Sequence, residues 1–249
     1  MNTASKNNAE NKTVIVTGAS SGIGLAVAEA YIKRGYNVVG NARTLSRLQE
    51  VAEKLGQRFV PVDGDIGDAA VAKRVFDTAV AQFGKVDILI NNAGIFLAKP
   101  FAEYTTDDVD RIFDTNLKGF LYITQLAGTH MVGNRDGHIV NVTASVALQP
   151  SAKVPALLPV LVKGGLNQAT RALAIELAPH NVMVNAVAPG VIDTPMHHPD
   201  SHGFLKALHP VGAMGTNQDI VDAVLYLTSA RFTTGAVLAV DGGMSAGSL

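Results

Sequence analysis

The sequence predicts an α/β fold: a doubly wound, seven-stranded parallel sheet with helices on both faces. Three observations carry this reading. Short β-branched runs alternate with longer segments of helical period along the whole chain, which is the rhythm of repeated βαβ units. Hydrophobic residues make up 47% of the 249 residues and charged residues only 16%, enough apolar material for one large core. No linker rich in Pro, Gly or Ser and no internal repeat interrupts the pattern, so a single domain over residues 12–249 is the expectation.

The elements follow in order. Residues 1–11, MNTASKNNAEN, are polar and are expected to form a disordered tail ahead of a cytoplasmic domain. A strand at Val14–Val16 leads through TGASSGIG into a helix-like LAVAEAYIKRG segment. A second strand is expected at Asn37–Val39, followed by a helix whose apolar stripe is Leu48, Val51, Ala52 and Leu55. The third unit pairs a strand at Phe59–Val62 with a helix carrying Val71, Val75, Phe76 and Val80 on one face. Strands at Val86–Ile90, His138–Val142, Val182–Val187 and Val237–Val240 complete the sheet, with helices over 106–131, 159–177 and 217–229 between them. The stretch 193–214, crowded with Pro, Gly and His, follows a strand and is expected to form an irregular loop over a binding crevice.

Charge narrows the function classes. Twenty Lys and Arg against twenty-one Asp and Glu give a net charge of −1 with no one-sided block, which argues against nucleic acid or an anionic membrane as partner. The longest apolar run, 154–162, has nine residues and two prolines, far short of the roughly 20 that cross a bilayer. The absence of cysteine excludes disulfides, thiolate chemistry and cysteine-ligated zinc. The expected ligand is a small molecule. His198 and His202 have the i, i+4 spacing of a metal pair, but Asp200 is the only acidic neighbour, so no metal site is expected there. One histidine of His197, His198 and His202 could instead deliver a proton.

Glycine between a first strand and a first helix allows tight turning and close approach of a pyrophosphate to the N–H groups of the helix start, so TGASSGIG reads as a dinucleotide site. Its TGxxxGxG spacing resembles the cofactor loop of the short-chain dehydrogenase/reductase family. Further elements resemble the family in the same order: Asp65-Ile66, then Asn91-Asn92-Ala93-Gly94, then Asn116 in TNLKGFL. NAVAPG with Thr194, and finally Val240-Asp241-Gly242-Gly243, continue the series. The resemblance covers about residues 12–243. It implies a Rossmann-type fold, a nicotinamide cofactor, and interconversion of a small carbonyl compound and an alcohol. The cofactor contacts it implies are Gly18, Ser20, Ser21, Ile23, Asp65, Ile66, Asn92, Ala93, Gly94, Lys163, Ile192 and Thr194. It also implies a homodimer or homotetramer formed through the helices over 106–131 and 159–177.

Cofactor choice turns on the end of the second strand. An acidic side chain there would accept hydrogen bonds from both ribose hydroxyls and repel a 2′-phosphate. This chain has Ala42-Arg43 instead, and a guanidinium can pair with that phosphate, so NADP(H) is expected over NAD(H).

The catalytic residues are where the chain departs from the family. The family carries a Tyr four residues before a Lys on one helix, placing both on one face. Lys163 matches the Lys, but the position four before it is Pro159, and no Tyr lies between Tyr122 and Tyr226. Proline has no proton to give and is expected to begin its helix. Ser145 and Thr143 are the nearest hydroxyls for polarising a carbonyl, with Ser145 favoured; the stretch from Asn141 to Lys163 is about two residues longer than in similar sequences. Lys153, four residues after Gln149, is too far displaced to replace the Tyr and Lys unit. Lys163, Ser145 and Asn116 are therefore the catalytic candidates. Two functions follow: an NADP(H)-dependent reductase with a substitute proton source, or an NADP(H)-binding protein without useful turnover, acting as a sensor or structural partner.

Overall fold

The computed structural model describes residues 12–247, so the tail expected over residues 1–11 lies outside the described residues. Seven strands form one parallel sheet: β1 (Thr13–Thr17), β2 (Asn37–Ala42), β3 (Phe59–Asp63), β4 (Ile88–Asn91), β5 (Gly137–Val142), β6 (Val182–Pro189) and β7 (Val237–Val240). Their spatial order is β3-β2-β1-β4-β5-β6-β7. The order reverses between β1 and β4, and that point of a doubly wound sheet opens a crevice at the carboxyl ends of the strands.

Residue alternation assigns the two faces. Val14 and Val16 of β1, Ile88 and Ile90 of β4, and Val140 and Val142 of β5 pack with α1 (Gly22–Lys33), α2 (Leu45–Leu55) and residues near the carboxyl end of the chain. Their neighbours Ile15, Leu89 and Ile139 point the other way, into a second core containing Val75 and Ala79 of α3 (Ala69–Phe83). Because β1, β4 and β5 are covered on both sides, they are buried at consecutive positions, whereas the edge strands β3 and β7 are only partly buried.

Beyond α3 the helices are α4 (Thr106–Phe113), α5 (Gly119–Asn134), α6 (Leu157–Leu177), the short α7 (His202–Lys206) and α8 (Asn217–Ser229). The last packs beside α1, α5 packs beside α3, and α6 lies against β6. Capping boxes open α4 through Thr105 and Asp108 and α8 through Thr216 and Asp219, satisfying N–H groups that a helix start would leave unpaired. Among the described residues no helix is long and apolar enough to cross a membrane.

Strand ends shift by up to three residues from the sequence reading, β4 for example spanning Ile88–Asn91 rather than Val86–Ile90, and the larger differences lie in the helical segments. The single helix expected over 106–131 is two helices joined by a π turn at Asp114–Lys118, because the Asn116 side chain exchanges hydrogen bonds with the backbone of Ile95. Apolar periodicity runs across this join and conceals it. Helix α6 begins at Leu157 rather than Pro159; proline is accommodated as its third residue because first-turn N–H groups have no partner within the helix. The stretch 193–214 is not wholly irregular, since it contains a 3₁₀ turn at Pro199–Ser201 and α7.

Candidate active site

One cavity of about 700 Å³ runs along the carboxyl ends of the strands. The strand order arranges its walls, from the turns after β3 and β2, across those after β1 and β4, to those after β5 and β6.

The turn after β1 is built by close packing. Gly18 has φ +69°, and a Cβ there would lie 2.8 Å from Asn92 Nδ2. A Cβ on Gly24 would collide with the Gly18 carbonyl oxygen and lie 2.5 Å from Asn92 Nδ2. Asn92 locks this contact by donating from Nδ2 to the carbonyl of Thr17 at 2.9 Å, while Thr17 Oγ1 accepts from the backbone N–H groups of Asn92 and Ala93, each at 3.0 Å. Two motifs joined by contacts between residues 75 positions apart thus form one unit. Ser21 stands at the N-cap of α1 without a side-chain capping bond, so no side chain occupies the first N–H groups, where an anion would be held.

At the β2 end, Arg43 and Arg47 line the cavity and form no ion pair among the described residues. Asn41 ties the ends of β2 and β3 together by donating to the carbonyls of Val62 and Gly64 at 3.0 and 3.1 Å. Asp65 and Ile66 line the same end, and Asp65 Oδ1 accepts from the Gly67 N–H at 2.9 Å.

Lys163 stands on α6 at the centre. Its Nζ donates to the Val142 carbonyl at 2.7 Å, and burial pulls its pKa down to about 8. A Cβ on Gly94 would lie 3.2 Å from Lys163 Nζ and 3.3 Å from Asn116 Oδ1, so the ammonium and the carboxamide flank the same glycine. Pro159 is buried one turn before Lys163. The two candidate hydroxyls are both engaged: Ser145 Oγ donates to Met244 Sδ at 3.4 Å, and Thr143 Oγ1 to the Val187 carbonyl at 3.2 Å.

Gly18, Ser20, Ser21, Ile23, Arg43, Asp65, Ile66, Asn92, Ala93, Gly94, Lys163, Ile192 and Thr194 all line this cavity, as does Ser145. Asn116 does not line it but stands behind Gly94. The histidines are dispersed. His197 lines the cavity, its pKa lowered by burial and by repulsion from His202, whereas His198 faces Asp200 at 3.2 Å and His202 faces Asp193 at 3.9 Å. Among the described residues no group of three His, Asp or Glu could hold a metal ion.

Sequence reasoning missed Arg47, Lys153 and Met244 in the lining. Arg47 was detectable, lying one helical turn beyond Arg43. Lys153 carries no sequence signal for the lining, since its spacing from Gln149 echoes only a catalytic unit. Met244 follows a turn made by Asp241, which accepts from the N–H groups of Gly243 and Ser245, and no sequence pattern announces its approach to Ser145.

Comparison with known proteins finds relatives over nearly the whole chain. A family described as enoyl-(acyl carrier protein) reductase matches residues 18–245. The L-rhamnose 1-dehydrogenase (NAD(P)(+)) of Sphingomonas sp. strain SKA58 is 36% identical, over 94% of this chain and 96% of its own. A 3-ketoacyl-(acyl-carrier-protein) reductase from Brucella melitensis, solved with NADH, superposes with a TM-score of 0.90 at 32% identity, over 95% of this chain and 99% of its own. ElxO with NADP bound gives a TM-score of 0.89 at 28% identity, over 95% and 100% of the two chains.

Proposed function

The chain belongs to the short-chain dehydrogenase/reductase family, and from that membership we propose that it is an NADP(H)-dependent oxidoreductase interconverting a carbonyl and an alcohol, with Pro159 standing where the family carries its tyrosine. The observation that carries this reading is the continuity of one cavity from Arg43 to Lys163 past the glycine turn. Its donor set fits the cofactor: uncapped helix N–H groups for a pyrophosphate, and two unpaired guanidinium groups for a 2′-phosphate. Bound NADPH would supply the hydride.

The proton falls to Lys163. An ammonium has three N–H donors, and the Val142 carbonyl takes one. With a pKa near 8, Nζ stays mainly charged at pH 7 yet releases a proton more readily than an ordinary lysine. It would pass that proton to the carbonyl oxygen directly or through one water. Ser145 would hold that oxygen after exchanging its Met244 contact for the substrate. Asn116 would act by fixing the Ile95 backbone beside Gly94.

The engaged hydroxyls and the proline favour a second reading, an NADP(H)-binding protein without turnover that serves as sensor or structural partner. NADPH consumption over a panel of ketones, aldehydes and quinones separates the two, comparing the natural chain with Pro159→Tyr after both are shown to bind NADPH. Turnover by the natural chain that Lys163→Met abolishes supports the enzyme. Turnover by Pro159→Tyr at least about 100- to 10,000-fold above the natural chain's background supports the binder. A homodimer or homotetramer is proposed with either reading: Leu121 of α5 and Leu161 and Ile175 of α6 are exposed apolar residues on the helices expected to pair. Sedimentation as a monomer would remove the assembly.

A further inference from the structure

Resting on the oxidoreductase reading, we propose that the substrate is an apolar carbonyl compound carrying an anionic group, and that Lys153 selects it. The far end of the cavity, past Lys163, is walled by Phe96, Val154, Met196, Phe204, Leu208 and Met244. Such a surface takes an apolar body. Lys153 enters the same lining from the segment between the 3₁₀ turn Ser145–Ala147 and α6, the stretch that the sequence marks as long.

Lys153 is exposed, and three features favour a bound anion as its partner. Its backbone is fixed: Lys153 N–H donates to Ser151 Oγ at 3.3 Å, Val154 N–H to the Ser151 carbonyl at 3.1 Å, and Ala156 bridges to Lys99. It forms no ion pair among the described residues. Among the described residues the only carboxylate in the cavity lining is Asp65, at the opposite end after β3 and already accepting from Gly67. Arg43 and Arg47 have the cofactor phosphates as counterions, and Lys163 has a carbonyl; Lys153 has none. A carboxylate on the substrate supplies it, and an ion pair beside apolar walls fixes which end of the molecule reaches Lys163.

The test measures binding to the NADPH-loaded protein of 3-benzoylpropionate, an apolar keto acid, and of its carboxamide, by calorimetry. The acid is expected to bind about two- to fivefold tighter at low salt, a preference that Lys153→Met abolishes and Lys153→Arg retains, with carboxamide and NADPH affinities unchanged. Equal binding of acid and amide, or binding of neither, to a protein that holds NADPH overturns this inference alone. Weaker NADPH binding by Lys153→Met overturns it too, by reassigning the lysine to the cofactor. Failure of the natural chain to bind NADPH removes the oxidoreductase reading together with this inference.

Discussion

The two ends of the cavity are built in different ways. Around β1, β2 and β4 the backbone itself forms the site: a glycine with positive φ, a second glycine without room for a Cβ, and an asparagine amide bonded across them. After β5 and β6 the site is made by side chains, where Ser145 and Met244 line the cavity with Lys163 of α6, and Pro159 is buried one turn before that lysine. Backbone geometry admits few residue types and so leaves a motif in the sequence. Side-chain geometry on loops admits many, and chemistry at that end can change while the fold stays the same.

The strongest way to break this contrast is Gly24→Ala. One methyl group there meets the Gly18 carbonyl and the Asn92 amide at impossible distances, and both belong to backbone-locked groups that cannot yield. Overpacking of this kind costs about 1–3 kcal/mol or more, and the turn must open to relieve it. NADPH affinity measured by fluorescence should fall at least about 100-fold, whereas Ser145→Ala at the other end should leave it within about twofold. Equal losses would mean that the two ends are a single unit.

Arg43→Ala sharpens the comparison, since Arg43 is a side-chain choice within the backbone-built end. Removing one charge-assisted contact should cost about 1.5–3 kcal/mol of NADPH affinity and leave NADH affinity unchanged. Arg47 shares the lining, so the loss should deepen when Arg47→Ala is added. An unchanged preference for NADPH over NADH sinks the assignment of Arg43.

What the sequence discloses follows the same division. Alternation of strand and helix and the apolar strands are direct consequences of a sheet buried on both faces, and the seven strands lie where β-branched runs place them. The packed turn of Gly18, Gly24 and Asn92 was legible because glycine and asparagine are the residues the backbone there requires. The π turn at Asp114–Lys118 was not legible, since its cause is a contact between Asn116 and Ile95, twenty-one positions away. Ser145 illustrates the other limit: its type is visible in the sequence, but its engagement by Met244, ninety-nine positions on, is a tertiary fact.

The smallest effect on the site is expected at His138, near the start of β5 and therefore at the opposite end of the sheet from the cavity. Its side chain is buried, its Nδ1 has no partner, and burial lowers its pKa to about 4, with Lys12 and Arg231 adding to the shift and Asp136 and the Leu227 backbone opposing it. A histidine depressed in the fold binds fewer protons than it does in the unfolded chain between about pH 6.5 and 4. Its contribution to stability is therefore present above pH 6.5 and is lost as pH falls through that window. His138→Leu removes the ionisable group while keeping a buried side chain, so its Tm should fall less steeply than that of the natural chain between pH 6.5 and 4, each kcal/mol retained appearing as about 2–4 °C. NADPH affinity at pH 7 should not change, because the strand that carries the residue is held by its ladders to β4 and β6 rather than by the imidazole. If the acid slope of Tm is the same in both proteins, the burial of His138 does not govern it, and the carboxylates of the exposed ion pairs become the groups to neutralise next.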